Sequence, residues 1–559
     1  MNKLWALKSK KFEDPILQIL YNRGIISDDN DSMLKKFLDP DFEKDFFDPE
    51  LLPDFQLAMS RIKTAIENKE KVGIYADYDA DGIPGAALLY RALRKFNLNP
   101  LVHIPTRQEG YGFSQNGIDE LISAGCTLII SVDLGIRELK NAKYIKKKKV
   151  DLIITDHHEP DDTLPEAVAI VNPKRQDSKY PFRELSGAGV VFKMLQGFSK
   201  LYPETINEKF LKWNLDLVAI STISDVVPLI SENRVIAKYG LMVLQKTKNV
   251  GLTELYKISG IDIGKIDVYC VGFQIGPRIN APGRLDRATE SFNLLVTDDK
   301  AEAVISAQHL QGQNEERQVE MGRILKEAAN SIGKQQLEDK IIILKDKNWQ
   351  KGVIGPVASQ LVEKYMRPVI ILTEKDGALD GSCRSISCFN IVEALSATSK
   401  CLTGYGGHKA AAGLHLESEN FAQFRKLMIA YANESISDQD LLPKINIDLE
   451  LDAKKITIGL IKSLDKLEPF GLGNPRPVFL TSKIKLTSHR LVGRENNHLQ
   501  LKFNNGLSDL KGVVFNHDLE LGNLCGGEFY DIVYQPQVNY WNGKNWIDLR
   551  IIDIKKSKL

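Results

Sequence analysis

Lys71-Val-Gly-Ile-Tyr-Ala-Asp77-Tyr-Asp79-Ala-Asp81-Gly82 is the stretch of this chain that decides its fold. The first half is a short apolar run with the composition of a strand, and the second half places three carboxylates at alternate positions immediately after it. Working outward, a helical pattern follows from Gly85 to Phe96. Next come Thr127-Leu-Ile-Ile-Ser-Val132, ending on Asp133, and Asp151-Leu-Ile-Ile-Thr155, ending on Asp156. Apolar runs alternating with helical patterns from about Lys71 to Leu229 predict βαβ units and a parallel sheet. Asp77, Asp133 and Asp156 should then stand at the carboxyl ends of strands, the edge at which open α/β sheets bind ligands.

The remaining chain divides by pattern. Residues from Ala301 to Gln336 hold no proline and have a helical composition, with Leu310, Val319, Ile324 and Leu325 as an intermittent apolar stripe, so one long, partly exposed linking helix is expected. A second, smaller α/β pattern starts at Lys340-Ile-Ile-Ile-Leu-Lys-Asp346 and runs through the glycine-rich Gly404–Gly413 region. Past Leu442 short alternating strands separated by Gly and Asn turns predict a small all-β barrel. The expected boundaries are an N-terminal extension over 1–50, an α/β domain over 51–305, the linking helix over 306–336, the second α/β domain over 337–440 and the barrel over 441–559.

Composition bounds the function. At 559 residues the chain is too long for one core, and 43% hydrophobic with 26% charged residues describes a soluble globular protein. No window approaches the ~18 consecutive apolar residues of a membrane helix. The N-terminus lacks the apolar stretch of a secretory signal, so the cytoplasm is the expected compartment. The six cysteines form no C-x-x-C pair, which argues against a zinc knuckle or a disulfide framework, and they are expected to be reduced and buried. A net charge of +1 leaves any polyanion site to local clusters. Gly471-Leu-Gly473 and the 404–407 run lack the G-x-G-x-x-G spacing and context of a dinucleotide site.

Asp77-Tyr-Asp79-Ala-Asp81-Gly82 also resembles the opening of a calcium EF-hand loop. That reading fails at its twelfth position, where Leu88 stands in place of a bidentate glutamate, and a strand precedes the loop where a helix should. Asp156-His157-His158 adds imidazoles after another strand of the same sheet. A lone histidine is more often structural than a ligand, and Asp133 or Asp225 alone would be a helix cap or a surface charge. Together these residues offer enough oxygen and nitrogen donors, and no thiolate, for two ions of the Mn²⁺ or Mg²⁺ type. Two such ions clamp a phosphodiester for hydrolysis.

The order DYDADG, VDLG, DHH, SDVVP resembles the DHH phosphoesterase family. GFQIGPRINAPGRL, WQKGVIGPVASQLVEKYMRP, GSCRS, GYGGHKAAAG and LEPFGLGNPRPVF resemble its RecJ-type exonuclease branch from about Lys71 to the C-terminus. The resemblance implies a DHH catalytic domain, a DHH-associated substrate-binding domain and an OB-fold, and degradation of single-stranded DNA from the 5′ end to 5′ mononucleotides. It implies metal ligation by Asp79, Asp81, Asp133, His157 and Asp225, with Asp77 and His158 as further members. A phosphate-reading pocket across the domain cleft is implied for Arg107, Arg278, Ser382, Arg384 and the Gly406-Gly407-His408 turn, with Tyr111, Asn280 and Arg284 in the same motifs. Tyr75 stands where smaller relatives place a histidine, and Gln350 where a histidine is expected. The resemblance further implies roles in DNA repair and recombination, a monomer, and single-strand DNA-binding protein and a RecQ-type helicase as partners.

Independently of the resemblance, Arg384 beside Ser382 has the chemistry for bidentate phosphate recognition, against a plain surface ion pair. In the barrel, Lys483, Lys485, His489, Arg490, Arg494, His498 and Lys502 concentrate positive charge, and Phe503, Phe515 and Tyr534 are candidate stacking faces, as a single-strand binder needs. Two other functions remain open at this level: a phosphatase acting on pyrophosphate, cyclic dinucleotides or short oligonucleotides, and a nucleic-acid-binding scaffold without activity. The basic barrel argues against the first and the complete carboxylate set against the second.

Overall fold

The apolar runs around residue 72 are buried on both sides, as strands of a parallel sheet must be. In the computed structural model, residues 3–106, 109–110, 112–284, 288–493, 496–507, 509–515, 524–541 and 544–558 are described. The chain divides into two compact units: a larger one of Trp5–Asn280, Ala288–Ala307 and Ile445–Leu559, and a smaller one of Met1–Leu4, Ala281–Arg287 and Gln308–Lys444.

In the larger unit, β1 (Val72–Ala76), β2 (Leu101–His103), β3 (Leu128–Val132), β4 (Asp151–Thr155) and β5 (Ala169–Val171) form a parallel sheet in the order β2-β1-β3-β4-β5. Ala76 pairs with Val132, Val132 with Thr155 and Thr155 with Val171. That register brings four strand ends into line, so Asp77, Asp133 and Asp156 leave the sheet on one edge. Helices α1 (Gly82–Lys95), α2 (Gln115–Ser123), α3 (Leu139–Lys147), α4 (Gly187–Leu201) and α5 (Leu215–Ser224) cover the sheet. Side chains alternate along each strand: Ile74 and Ile130 join the core under α1, α4 and α5, while Tyr75 and Ile129 join the core under α2 and α3.

The same unit carries a closed barrel of β11 (Phe479–Val492), β12 (His498–Asn504), β13 (Asp509–Val514), β14 (Phe529–Trp541) and β15 (Lys544–Lys556), the last five strands of the chain. Its order is β11-β12-β13-β15-β14, closed by pairing of β14 with β11. Phe503 and Tyr534 are fully buried in it, which removes both from the candidate stacking faces; a small barrel needs large side chains to fill its centre. Phe515 stays half-exposed. Residues Ile19, Leu20 and Phe37 of the N-terminal segment pack into this barrel core.

Arg234, on α6 (Ser231–Leu244), ties these parts together. It is fully buried and donates to the carbonyls of Phe37, Leu467, Lys466 and Glu468, with its guanidinium 3.8 Å from the Phe37 ring centre. Leu229 N donates to Leu472 O at 2.8 Å, so the segment leading into the barrel is fixed to the chain just past Asp225.

Helix α7 spans Lys300–Ser331 and passes from the larger unit's segment into the smaller unit's. It stops short of the expected Gln336 because Gly333, a poor helix former, interrupts it, and a separate turn of helix covers Lys334–Glu338. The smaller unit holds a five-stranded sheet of β6 (Ile342–Lys345), β7 (Val369–Lys375), β8 (Ala378–Arg384), β9 (Gly404–His408) and β10 (Ala411–Glu417) in the order β9-β10-β8-β7-β6, with α8 (Ile354–Tyr365) packed on it. Gly406, Gly407 and His408 lie in edge strand β9, not in a turn; the turn falls on Lys409 and Ala410. Among the described residues no helix is long and apolar enough to cross a membrane. All six cysteines are free, four of them buried and Cys388 and Cys525 exposed, contrary to the expectation of uniform burial.

Candidate metal centre

The aligned strand ends bring seven side chains to one edge. Ligand atoms of Asp77, Asp79 and Asp133 lie within 4.8 Å of one another, as do those of Asp133, His157 and His158, and those of Asp81, His157 and Asp225. His157 Nε2 is 3.1 Å from Asp133 Oδ1, 3.5 Å from Asp81 Oδ2 and 3.7 Å from Asp225 Oδ2. Asp133 and His157 each belong to two of the groups, so the three groups form one connected cluster of donors.

Local structure holds each group in place. Asp79 Oδ1 accepts from the amides of Asp81 and Gly82, a turn that leads directly into α1. Asp81 accepts from the amides of Gly187 and Ala188 at 2.7 and 2.8 Å and from Ser221 Oγ at 2.6 Å, so one carboxylate caps α4 and bonds α5. A Cβ added at Gly187 would stand 2.6 Å from Asp133 Cβ, so only glycine lets α4 start this close to the cluster. Asp133 has φ +64°, a left-handed conformation that turns the chain at the strand end. Asp225 caps the C-terminus of α5.

The electrostatics call for cations. Burial, then Asp79, pushes the Asp77 carboxyl well up; burial, then Asp81, Asp79, Asp77 and Asp225, does the same to Asp133; burial, then Asp81 and Asp79, does so to Asp225. Burial pushes His157 down, toward the neutral imidazole that ligates metals. Asp133 Oδ1 and His157 Nδ1 are buried with no hydrogen-bond partner. Crowded carboxylates, a neutral imidazole and orphaned ligand atoms fit divalent cations of the Mn²⁺ or Mg²⁺ type.

Three contributors lie outside the expected ligand set, although the sequence already put Asp156 at the strand end. Asp156 Oδ1 lies 2.7 Å from His158 Nδ1 and also accepts from the amides of His157 and His158, while its other oxygen accepts from Ile136 N. Burial opposes its ionisation, but the His158 bond and charge outweigh it and hold Asp156 down at about 2. Against its own burial, the same contact pushes His158 up to about 9. Ser221 and the Ser186-Gly187-Ala188 turn are the others; only their place in the fold marks them.

The residues expected to bind substrate are spread over both units. In the larger one, Asn280 Oδ1 accepts from Ala80 N at 2.6 Å, bracing the Asp79–Asp81 loop, and buried Arg278 donates to Gln274 O. In the smaller one, Arg384 Nη1 donates to Ser382 Oγ at 3.1 Å. Helix α8 starts at Val353 without a side-chain cap, and a Cβ on its Gly355 would stand 3.0 Å from Arg384 Nη2 and 3.1 Å from Ser382 Oγ. A guanidinium, a hydroxyl and uncapped helix amides thus face one space, a ready anion site. Gly406, Gly407 and His408 are exposed on β9. Arg107, Tyr111 and the Arg284 side chain lie outside the described residues, as does Arg494. On the barrel, Lys483, Lys485, His489, Arg490 and Lys502 are exposed, and Phe515 is flanked by His498 at 5.2 Å and Arg550 at 6.0 Å.

Comparison with known proteins agrees with this arrangement. Residues 71–222 match the DHH family, N-terminal domain, residues 338–434 the DHHA1 domain and residues 447–553 the RecJ OB domain. The chain is 30% identical to the single-stranded-DNA-specific exonuclease RecJ of Dickeya dadantii over 90% of this chain and 91% of that one. It is 37% identical to the Bacillus subtilis protein of the same name over 92% of this chain, spanning 65% of that longer protein. The crystal structure of RecJ in complex with Mn²⁺ from Thermus thermophilus superposes with a TM-score of 0.84 at 27% identity, covering 100% of this chain and 80% of that one.

Proposed function

This chain belongs to the RecJ family of single-stranded-DNA-specific exonucleases, and from that premise we propose that it hydrolyses the terminal phosphodiester bond at the 5′ end of single-stranded DNA, releasing 5′ mononucleotides. The observation that carries the reading is the convergence of Asp77, Asp79, Asp81, Asp133, His157, His158 and Asp225 on one sheet edge. When bound there, two Mn²⁺ or Mg²⁺ ions supply Lewis acidity to the phosphoryl oxygens and acidify the attacking water. The chain's own residues do the positioning. Asp81, locked by α4 and α5, and His158, locked by Asp156, present fixed ligand atoms. Ser382, Arg384 and the start of α8 are suited to hold the 5′-terminal phosphate, which sets direction. The exposed cations of the barrel, with Phe515, are suited to hold the strand behind it.

Family membership supports, by the same reading, work in DNA repair and recombination, a monomeric enzyme, and contacts with single-strand DNA-binding protein and a RecQ-type helicase. The test follows products over time from 5′- and 3′-labelled single strands with Mn²⁺, Mg²⁺ or chelator. The expected result is immediate release of the 5′ label as a mononucleotide, a shrinking 3′-labelled ladder, and silence in chelator. Equal digestion of blunt duplex, or hydrolysis of pyrophosphate in preference to strands, would overturn it.

A further inference from the structure

A cleft of about 1060 Å³ lies on the barrel away from any residue assigned above except Lys483 and Lys485. Its walls come from five separate stretches: residues 7–10 with Lys8 and Lys10, the linker with Lys454 and Lys455, the start of β11 with Lys483 and Lys485, Asn504 to Gly506 at the end of β12, and Phe529. All six lysines are exposed, against Glu450 and Asp452 as the lining acids. Those two acids are engaged locally, Glu450 with Ser482 Oγ and Asp452 with Lys454 N. Among the described residues Lys10 alone of the six is in an ion pair, with Glu13.

The cleft is built, not frayed. Trp5 Nε1 donates to Asp553 Oδ2 at 2.7 Å, Lys8 N to Ile447 O at 3.1 Å, and the amides of Lys11 and Phe12 to Oε1 of fully buried Gln18. These bonds hold the N-terminal segment in place beside the barrel. Lys483 sits in a break of the β11–β14 register with φ +54°, its amide bonded to Asp531 Oδ1. Such a bulge re-aims a side chain. Lys483 and Lys485 also lie on the strand that carries exposed His489 and Arg490 farther along.

We propose that this cleft is a holding site for the phosphodiester backbone of the strand, and that the N-terminal segment serves to complete it. The proposal rests on the nuclease reading above for its ligand. Ammonium point charges with Ser9, Asn504 and Asn505 among them suit a backbone of any sequence. An acidic protein segment is the competing occupant; six exposed lysines lining a cleft on the same barrel as His489 and Arg490, in a chain whose proposed substrate is a single strand, favour the nucleic acid.

The experiment uses the full chain with two pairs of substitutions, Lys8→Gln with Lys10→Gln and Lys454→Gln with Lys455→Gln, and thermal melts to verify folding. Fluorescence anisotropy in chelator measures affinity for 5′-phosphorylated single strands of about four to about forty nucleotides, over a range of salt. Each pair should weaken the longest strands up to about tenfold at low salt and lower the salt slope by about 1.4, two contacts at about 0.7 each, with the loss fading as strands shorten. Unchanged affinity, or an equal loss at every length, overturns the cleft while leaving the nuclease reading intact. Loss of oligoglutamate binding with strand affinity retained overturns it in favour of a protein partner. Failure of the parent chain to bind any strand overturns both readings.

Discussion

His157 Nε2 stands 3.1 Å from Asp133 Oδ1, yet that oxygen makes no hydrogen bond, and both side chains are buried. Two ligand atoms this close, without the geometry of a bond between them, are poised toward a third body. Buried carboxylates that repel one another destabilise the metal-free fold and are retained for what they bind.

Asp133→Asn should therefore raise the melting temperature in chelator while abolishing cleavage, and Mn²⁺, which should stabilise the parent chain, should add little to the variant. A lower melting temperature in chelator would contradict the account. His157→Ala and Asp81→Ala should lower the cleavage rate by more than about 100-fold with single-strand affinity largely kept, since phosphate contacts elsewhere carry most of it.

Asp156 acts through His158. Asp156→Asn keeps the size but weakens the 2.7 Å contact and the three amide bonds. An apparent Mn²⁺ affinity about 10–100-fold weaker is expected from titration of activity against free metal, with the rate at saturating metal much less affected.

Arg384→Ala should weaken 5′-phosphorylated oligonucleotides far more than 5′-hydroxyl ones. Gly355→Val should do the same without touching a charge, because its side chain would fill the space beside Arg384 Nη2 and Ser382 Oγ. Equal losses on both substrates would remove the end-reading role.

Two barrel phenylalanines should behave oppositely. Phe515→Ala should cost about 1–3 kcal/mol of single-strand affinity and leave the fold intact. Phe503→Ala, fully buried, should cost about 3–5 kcal/mol of stability instead. Anisotropy and thermal melts on each variant separate the two effects.

Acid stability has a definite source outside the metal centre. Burial pushes the Glu70 carboxyl up, but bonds from Arg61 and Thr127 and the guanidinium charge outweigh it and hold it below its usual value. A carboxyl depressed in the fold stabilises above its unfolded value near 4.3, and that contribution is lost as pH falls below it through the folded value. Glu70→Gln should lower the melting temperature at pH about 7 and flatten its fall toward about pH 4; parallel curves for parent and variant would exclude this role.

Sequence alone placed the strands and the candidate donors at their ends, because an apolar run and the acid that follows it are local signals, while the family resemblance supplied the rest of the candidate set. A buried apolar run followed by aspartate marks a strand and its ligand end whatever surrounds it, and a parallel sheet aligns such ends. The same locality limited the rest. Phe503, Phe515 and Tyr534 look alike in sequence, and barrel closure decided that two fill the core and one faces solvent. Asp156 reads as one more acid beside two histidines, and the end of α7 at Ser331 turned on a glycine whose effect composition alone understated.

What the chain determined by itself is therefore the sheet, the order of its elements and the set of donors that share its edge. What only the tertiary structure decided is how distant segments meet. Asp81 binds Gly187, Ala188 and Ser221, Asn280 braces Ala80, Arg234 gathers carbonyls from residues 37 and 466–468, and Trp5 reaches Asp553. Such pairings leave no periodic trace, because each depends on side-chain direction and packing fixed only when the whole core has closed.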